Sequence, residues 1–361
     1  MNQQNSDVRP RRRWRQVLFA LTVCLLLLVG AVWATVELRW KRRFDAPYPP
    51  VAANADPAVI SRGEYLVYSA SACAYCHVPR DQWPVLDRGE RLSLTGDHLF
   101  RLPFGRIYSS NLTPDPATGI GTRSDAELAR ILRYGVRADG RAAFPLMEIQ
   151  LSDEDLTAVV SYLRSQPAKV HAVPDHQFSR FGKALMAFAI SPASPATRPP
   201  ATSPTGPTIE RGAYLANNVS SCTSCHTNRG SDGALVGPAF AGGQQMEVAA
   251  DPSQVYVTAN LTPDPESSPI GQWSEDTFVT RFRMGELIAG TPMPWGAYAR
   301  LTEEDLRAIY RFLRSLPPTR NPTGAPVQPK VTRHLTEHEV PSSRSRSLAE
   351  VPAHAARRAS R

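Results

Sequence analysis

Cys73-Ala74-Tyr75-Cys76-His77 and Cys222-Thr223-Ser224-Cys225-His226 are the two stretches on which the reading of this chain turns. Both have the form CxxCH. Two cysteines three apart lie on one helical turn, so each thiol reaches a haem vinyl group to form a thioether. The residue that follows then aims an imidazole nitrogen at the iron, and this is the sequence of c-type haem attachment. Two cysteines and a histidine also serve zinc or a redox dithiol. A zinc site wants its fourth ligand close by, and a thioredoxin-like dithiol wants a strand-and-helix pattern around it; neither surrounds these motifs. The expected cofactor is therefore two covalently bound haem c groups. Cys73, Cys76, Cys222 and Cys225 carry the thioethers, and His77 and His226 are axial iron ligands.

Working outward from the motifs, the chain repeats itself. Arg62-Gly63-Glu64-Tyr65-Leu66 precedes the first motif and Arg211-Gly212-Ala213-Tyr214-Leu215 the second, at the offset of 149 that separates Cys73 from Cys222. Asn111-Leu112-Thr113-Pro114-Asp115-Pro116 recurs unchanged from Asn260 to Pro265. Leu151-Ser152-Asp153-Glu154-Asp155-Leu156 pairs with Leu301-Thr302-Glu303-Glu304-Asp305-Leu306. One unit is written twice, and each copy predicts a few helices in a great deal of loop.

A first helix over about Pro57 to Ala70, and about Ile209 to Asn218, runs towards the cysteines. A middle helix starts at Ser124 or Ser274, both good N-cap residues with acidic residues in the following turn. The last helix starts at Ser152 or Thr302, with Asp155 or Asp305 at the third helical position. Leu156, Val159, Val160 and Leu163, and in the other copy Leu306, Ile309, Tyr310 and Leu313, then follow at helical spacing. Pro167 and Pro317 stop both helices. Stripes this narrow cannot close a core alone, and a porphyrin would complete it.

A haem that only carries electrons has a sixth ligand. Met147, in Phe144-Pro145-Leu146-Met147, and Met293, in Thr291-Pro292-Met293-Pro294, each stand just before a last helix. A thioether favours ferrous iron and raises the potential, which suits an electron acceptor. Met293 is preferred over Met246, in a Gly-rich loop, and Met284, read as a core residue of the middle helix. Met147 lies four residues before Leu151, whereas Met293 lies eight before Leu301. His98 is the substitute ligand for the first haem, the alternative being a solvated loop histidine.

The run Arg-Gly-x-Tyr-Leu, CxxCH, Asn-Leu-Thr-Pro-Asp and a methionine before a Thr/Ser-x-Glu-Asp-Leu helix resembles the cytochrome c subunits of membrane-bound alcohol, sorbitol and gluconate dehydrogenases. The resemblance covers roughly residues 57–167 and 209–317. It implies an all-α fold of two tandem class I cytochrome c domains, 46–170 and 209–317, and an electron-transfer role. Those subunits commonly carry three haem domains, and this chain has two. The family also places a proline carbonyl on the other nitrogen of the haem histidine. Pro238 fits that pattern in the second unit. In the first, Asp97 follows Gly96, so another group is expected there, Pro103 being the candidate.

Val17 to Val36 is an uncharged stretch of 20 residues, enough to span a bilayer core as a helix. Five arginines, Arg9 to Arg15, precede it, so residues 1–16 read as a cytoplasmic segment and 17–36 as a transmembrane signal anchor. Cleavage after Ala34 is the alternative. Cys24 lies mid-span and reads as a small apolar residue. The haem domains then belong on the periplasmic side of the inner membrane. The net charge of +8 raises nucleic-acid binding. Residues 1–15, 37–45 and 318–361 carry +4, +2 and +5, which leaves −3 for the rest. The folded part is mildly acidic, and the basic flanks read as topology signals and solvated tails, not as a nucleic-acid surface.

Residues 171–208 read as a linker, Pro-rich and extended from Ser191. Within it, Phe178 to Ile190 carries six large apolar residues and has two readings: a short helix covering the first unit, or a docking surface for a partner or the membrane. Residues 318–361 read as a disordered basic tail. Two functions are open. One is an electron-transfer protein relaying electrons from a dehydrogenase or a quinol towards a terminal oxidase. The alternative is a di-haem peroxidase-like enzyme with one open iron. No separate catalytic constellation is visible.

Overall fold

The computed structural model describes residues 9–144, 149–192, 199–230, 233–248 and 251–330, with side chains from Arg13 onward. Its first element is a helix, α1 (Arg9–Arg39), of which Arg13–Arg39 is long and apolar enough to cross a bilayer. Leu25 to Leu28 on it are exposed.

The first unit begins with α2 (Pro57–Tyr65), capped by Asp56 and continued by a π-helical turn over Leu66–Ala70. Next come α3 (Cys73–His77), α4 (Trp83–Asp87), α5 (Asp125–Tyr134), α6 (Asp153–Ser165) and α7 (Arg180–Phe188). The second unit has α8 (Ile209–Tyr214) with its π turn Leu215–Val219, then α9 (Cys222–His226), α10 (Pro269–Gln272), α11 (Glu275–Arg283), α12 (Trp295–Tyr298) and α13 (Glu303–Ser315). The caps read from the sequence are in place. Ser124 forms a full capping box with Glu127, and Ser274, Ser152 and Thr302 each accept from the third residue of their helix.

Within each unit the first and last helices cross at backbone contact. A Cβ on Gly63 would stand 2.0 Å from the carbonyl oxygen of Ala158, and one on Gly212 1.9 Å from that of Ala308. No side chain fits there, which explains the glycine in Arg-Gly-x-Tyr-Leu. Most buried apolar residues of both units form one continuous cluster, from Leu66 and Val160 to Leu215 and Leu306, with a small separate one of Ala46, Tyr134 and Val136.

The all-α expectation needs correction, because each unit also carries a three-stranded antiparallel sheet. β1 (Leu99–Leu102), β2 (Gly105–Tyr108) and β3 (Gln177–Phe178) form one; β4 (Gln245–Val248), β5 (Asp251–Val257) and β6 (Val327–Pro329) form the other. These strands are short and mostly half-exposed, so they leave no alternating apolar period to read.

β6 also corrects the reading of residues 318–330 as tail. The Thr319 carbonyl accepts from Asn260 Nδ2 at 2.8 Å, as that of Lys169 does from Asn111 at 2.9 Å. Residues 331–361 of the expected tail lie outside the described residues. Part of the linker is likewise bound: the Pro200 and Ala201 carbonyls accept from the first amides of α6, and Pro204 from Arg211.

Candidate functional site

Both CxxCH segments are one-turn helices entered through a left-handed residue, Ala72 at φ 51° and Ser221 at φ 49°. Neither is glycine, and an L side chain is held there only at some energetic cost. The same turn precedes both motifs, and it swings the chain from the π-helical turn into the cysteines. None of the cysteines is in a disulfide. Burial pushes the Cys73 and Cys222 thiols up to about 12. Among the described residues no three His, Cys, Asp or Glu side chains converge to hold a metal ion unaided.

The two histidines are oriented alike. His77 Nδ1–H donates to the Ser110 carbonyl at 2.7 Å, and His226 Nδ1–H to the Ala259 carbonyl at 2.9 Å. That fixes the tautomer and leaves Nε2 as the lone-pair nitrogen. Burial lowers both imidazole pKa values, which favours the neutral, ligating form. Two thiols and an oriented neutral imidazole make a donor set that fits thioether attachment plus one axial bond.

Ser110 and Ala259 were not legible in advance, since the partner is a backbone oxygen. They overturn the expected proline: the Pro238 carbonyl accepts from Ala241 N within its own loop, and Pro103 lies in the turn between β1 and β2. A signal did exist, because both residues immediately precede the repeated Asn-Leu-Thr-Pro-Asp-Pro. Asn111 Oδ1 accepts from Thr113 N at 2.9 Å and Oγ1 at 2.8 Å; Asn260 and Thr262 repeat both distances. Asp115 and Asp264 close the following turn on Thr118 and Ser267. The hexapeptide is a rigid loop that presents one carbonyl to one histidine.

Met147 lies outside the described residues. Met293 is half-buried and packs against the core, near the end of the irregular segment 284–294 that joins α11 to α12 and two residues before α12. Met246 is a strand residue paired with Tyr256, and Met284 is exposed just past α11, not a core residue. The four residues by which the second methionine loop exceeds the first correspond in number to α12, Trp295–Tyr298.

That insertion faces the first unit. Gly296 lies against Tyr75 and Asp87, and Tyr75, between Cys73 and Cys76, donates to Asp87. Tyr298 Oη donates to the Ser220 carbonyl at 3.0 Å, and Ser220 Oγ to the Ala70 carbonyl at 2.7 Å. Burial, then the thiols of both motifs, drive the Tyr298 pKa well above its ordinary value. Both CxxCH turns thus flank one tyrosine.

His98 is not a solvated loop residue. It is 7% exposed, its ring stacks on Trp83 at 5.4 Å, and its Nδ1 is buried without a hydrogen-bond partner. Gly96 N donates to the His77 carbonyl as Gly242 N does to that of His226, so His98 corresponds to Gln244. With its amide nitrogen turned inward, Gln244 reaches the carbonyls of Ser224, Cys225 and Thr227. The correspondence puts His98 along the turn that carries His77, not opposite it.

Residues 209–317 match the family model for cytochrome c. The chain is similar to the cytochrome c subunit of a quinone alcohol dehydrogenase from Gluconacetobacter polyoxogenes, 32% identical over 73% of this chain and 57% of that protein. It is 29% identical to the cytochrome c subunit of gluconate 2-dehydrogenase from Pantoea cypripedii, over 73% of this chain and 60% of the relative. A diheme cytochrome c-type protein of Cereibacter sphaeroides is 26% identical over 71% of this chain and 86% of its own length. The chain thus spans little more than half the length of the dehydrogenase subunits it matches.

Proposed function

We propose, from the premise that residues 209–317 are a cytochrome c domain and that the chain resembles dehydrogenase cytochrome c subunits, that it is a di-haem electron relay. It is anchored by α1 in the cytoplasmic membrane, with both haem units, residues 46–170 and 209–317, on the outer face. It takes electrons from a dehydrogenase subunit or a quinol and passes them towards a terminal oxidase.

The observation that carries the count of two is the matched pair of histidine–carbonyl bonds, His77 to Ser110 and His226 to Ala259, in units with the same entry turn. Cys73, Cys76 and His77 would hold one haem and Cys222, Cys225 and His226 the other, with Met147 and Met293 the residues that would supply the remaining iron ligands. When bound, the haems supply one-electron chemistry. The protein's part is to fix each imidazole and to keep the two motifs adjacent around Tyr298.

The pyridine haemochrome spectrum and intact mass of the chain, matured with haem-attachment machinery, test this. Two covalent haems per chain are expected, falling to one in Cys73→Ala or Cys222→Ala. One haem in the wild type overturns the di-haem reading.

A further inference from the structure

The segment Phe178 to Ile190 is not absorbed by the relay. Its α7 is capped by Ser179, which accepts from Gly182 N at 3.1 Å, and it has two different faces. Gly182, Met186 and Ala187 are buried, and a Cβ on Gly182 would stand 2.1 Å from the Phe104 carbonyl oxygen. That face covers the first unit. Phe181, Ala184, Leu185 and Phe188 occupy positions i, i+3, i+4 and i+7, one stripe on a helix. Phe181 is 59% and Phe188 54% exposed.

The neighbour of this stripe is the outer end of α1. Arg180 lies over the Trp33 ring at 5.5 Å, and Arg39 over Phe188 at 5.6 Å. Lys183 Nζ bonds Glu37 at 2.7 Å and lies 5.1 Å from the Trp40 ring centre, and Arg42 donates to the Ile190 carbonyl at 2.8 Å. Trp33 to Arg39 is six residues, about 9 Å of helix rise. α7 thus runs beside the last turns of α1 over a length comparable with the thickness of the layer in which interfacial apolar side chains are buried, about 5–10 Å. Trp33 and Trp40 are the aromatic residues that settle at such a boundary, and the surrounding basic side chains suit anionic headgroups.

We propose that α7 is a second membrane contact, standing alongside the outer end of α1 at the outer interface of the bilayer with Phe181, Leu185 and Phe188 against lipid. The inference rests on α1 being a transmembrane span. The stripe is continuous with the exposed apolar surface of α1, and the ion pairs and ring contacts lock the two helices together. The first haem unit is thereby held at a set height and orientation on the membrane, where a span alone would leave it free to turn.

The test uses the full-length, haem-loaded chain in vesicles of phosphatidylcholine and phosphatidylglycerol, a fraction of the lipid carrying a diazirine on its acyl chain. After illumination, adducts are mapped by peptide mass. Adducts are expected on α1 and on the peptide holding Phe181 to Phe188, the latter about ten-fold above the peptide holding exposed Leu235 and Val236. In Phe181→Glu/Phe188→Glu, the α7 adducts should fall to that background with α1 labelling and both haems retained. Adducts on α1 alone overturn the proposal and leave the span standing, and point to a protein partner for the stripe. Absence of adducts from both helices overturns the span and this inference with it.

Discussion

Tyr65 Oη donates to Asp305 Oδ2 at 2.6 Å, a bond from the first helix of one unit to the last helix of the other. The repeat returns it: Tyr214 Oη donates to Asp155 Oδ2 at 2.8 Å. Each aspartate is held within its own unit by the arginine of the same motif, Arg62 on Asp155 at 2.8 Å and Arg211 on Asp305 at 2.9 Å. In Arg-Gly-x-Tyr-Leu, then, arginine closes the unit, glycine lets its helices touch, and tyrosine joins it to its copy. The contact is that of a symmetric dimer made within one chain.

Tyr65→Phe and Tyr214→Phe should therefore each cost about 1.5–3 kcal/mol, the range for a hydrogen bond to a charged group. Urea unfolding of the single and double variants measures it. A double-mutant cycle of Tyr65→Phe with Asp305→Asn should show coupling above about 0.5 kcal/mol. A cycle that closes additively would mean that the bond does not join the units.

Gly63→Ala and Gly212→Ala test the helix crossing. Each added methyl meets a backbone oxygen that cannot move aside, so the helices must separate, at a cost of about 1–3 kcal/mol or more. A lowered Tm and poorer haem retention at the altered unit are expected. An unchanged Tm would contradict the close approach.

Much of this was legible in side chains. CxxCH, the offset of 149 and the Ser, Thr and Asp caps announced the helices and the pair of matching one-turn CxxCH segments, since each depends on residue type at fixed spacing. What escaped depends on backbone or on stacking. Ser110 and Ala259 act through carbonyls, which any residue supplies, so nothing in their side chains marks them, and the resemblance pointed to a proline instead. β6 is too short to show a period. His98 is buried by Trp83 and Phe100, a contact that no local pattern announces.

Asn260→Ala should free the loop that holds the Ala259 carbonyl, and with it the bond to His226. A hydrogen bond from Nδ1 raises the basicity of the ligating nitrogen and stabilises ferric iron, so its loss should raise that potential. In a potentiometric titration one wave should move upward while the other stays. Asn111→Ala should move the other wave. Movement of both together would mean that the loops do not serve their own sites.

His176 gives a pH dependence. Burial pushes its pKa below 6.5, helped by Arg137 and Arg141 and opposed by Asp175. The unfolded chain therefore takes up the proton first, and the neutral ring's contribution to stability is complete above about pH 6.5 and lost as pH falls towards the folded pKa. Urea midpoints should drop between neutral pH and pH ~5.5. The drop should be smaller in His176→Gln, and equal drops would place the effect elsewhere.

Ligand chemistry decides between the relay and a peroxidase. A sulfur ligand on ferric haem gives a weak near-infrared band near roughly 700 nm and occupies the position that peroxide or carbon monoxide needs. Met293 is favoured by position: it packs on the core just before α12, while Met246 is in a strand and Met284 is exposed. Met293→Ala should remove about half of the band and open one iron to carbon monoxide. Met147→Ala should do the same at the other iron. If the wild type already binds carbon monoxide at one haem and turns over peroxide, the relay reading of that unit fails. The open iron should then be the one bound by His77, because the methionine loop of that unit is four residues shorter.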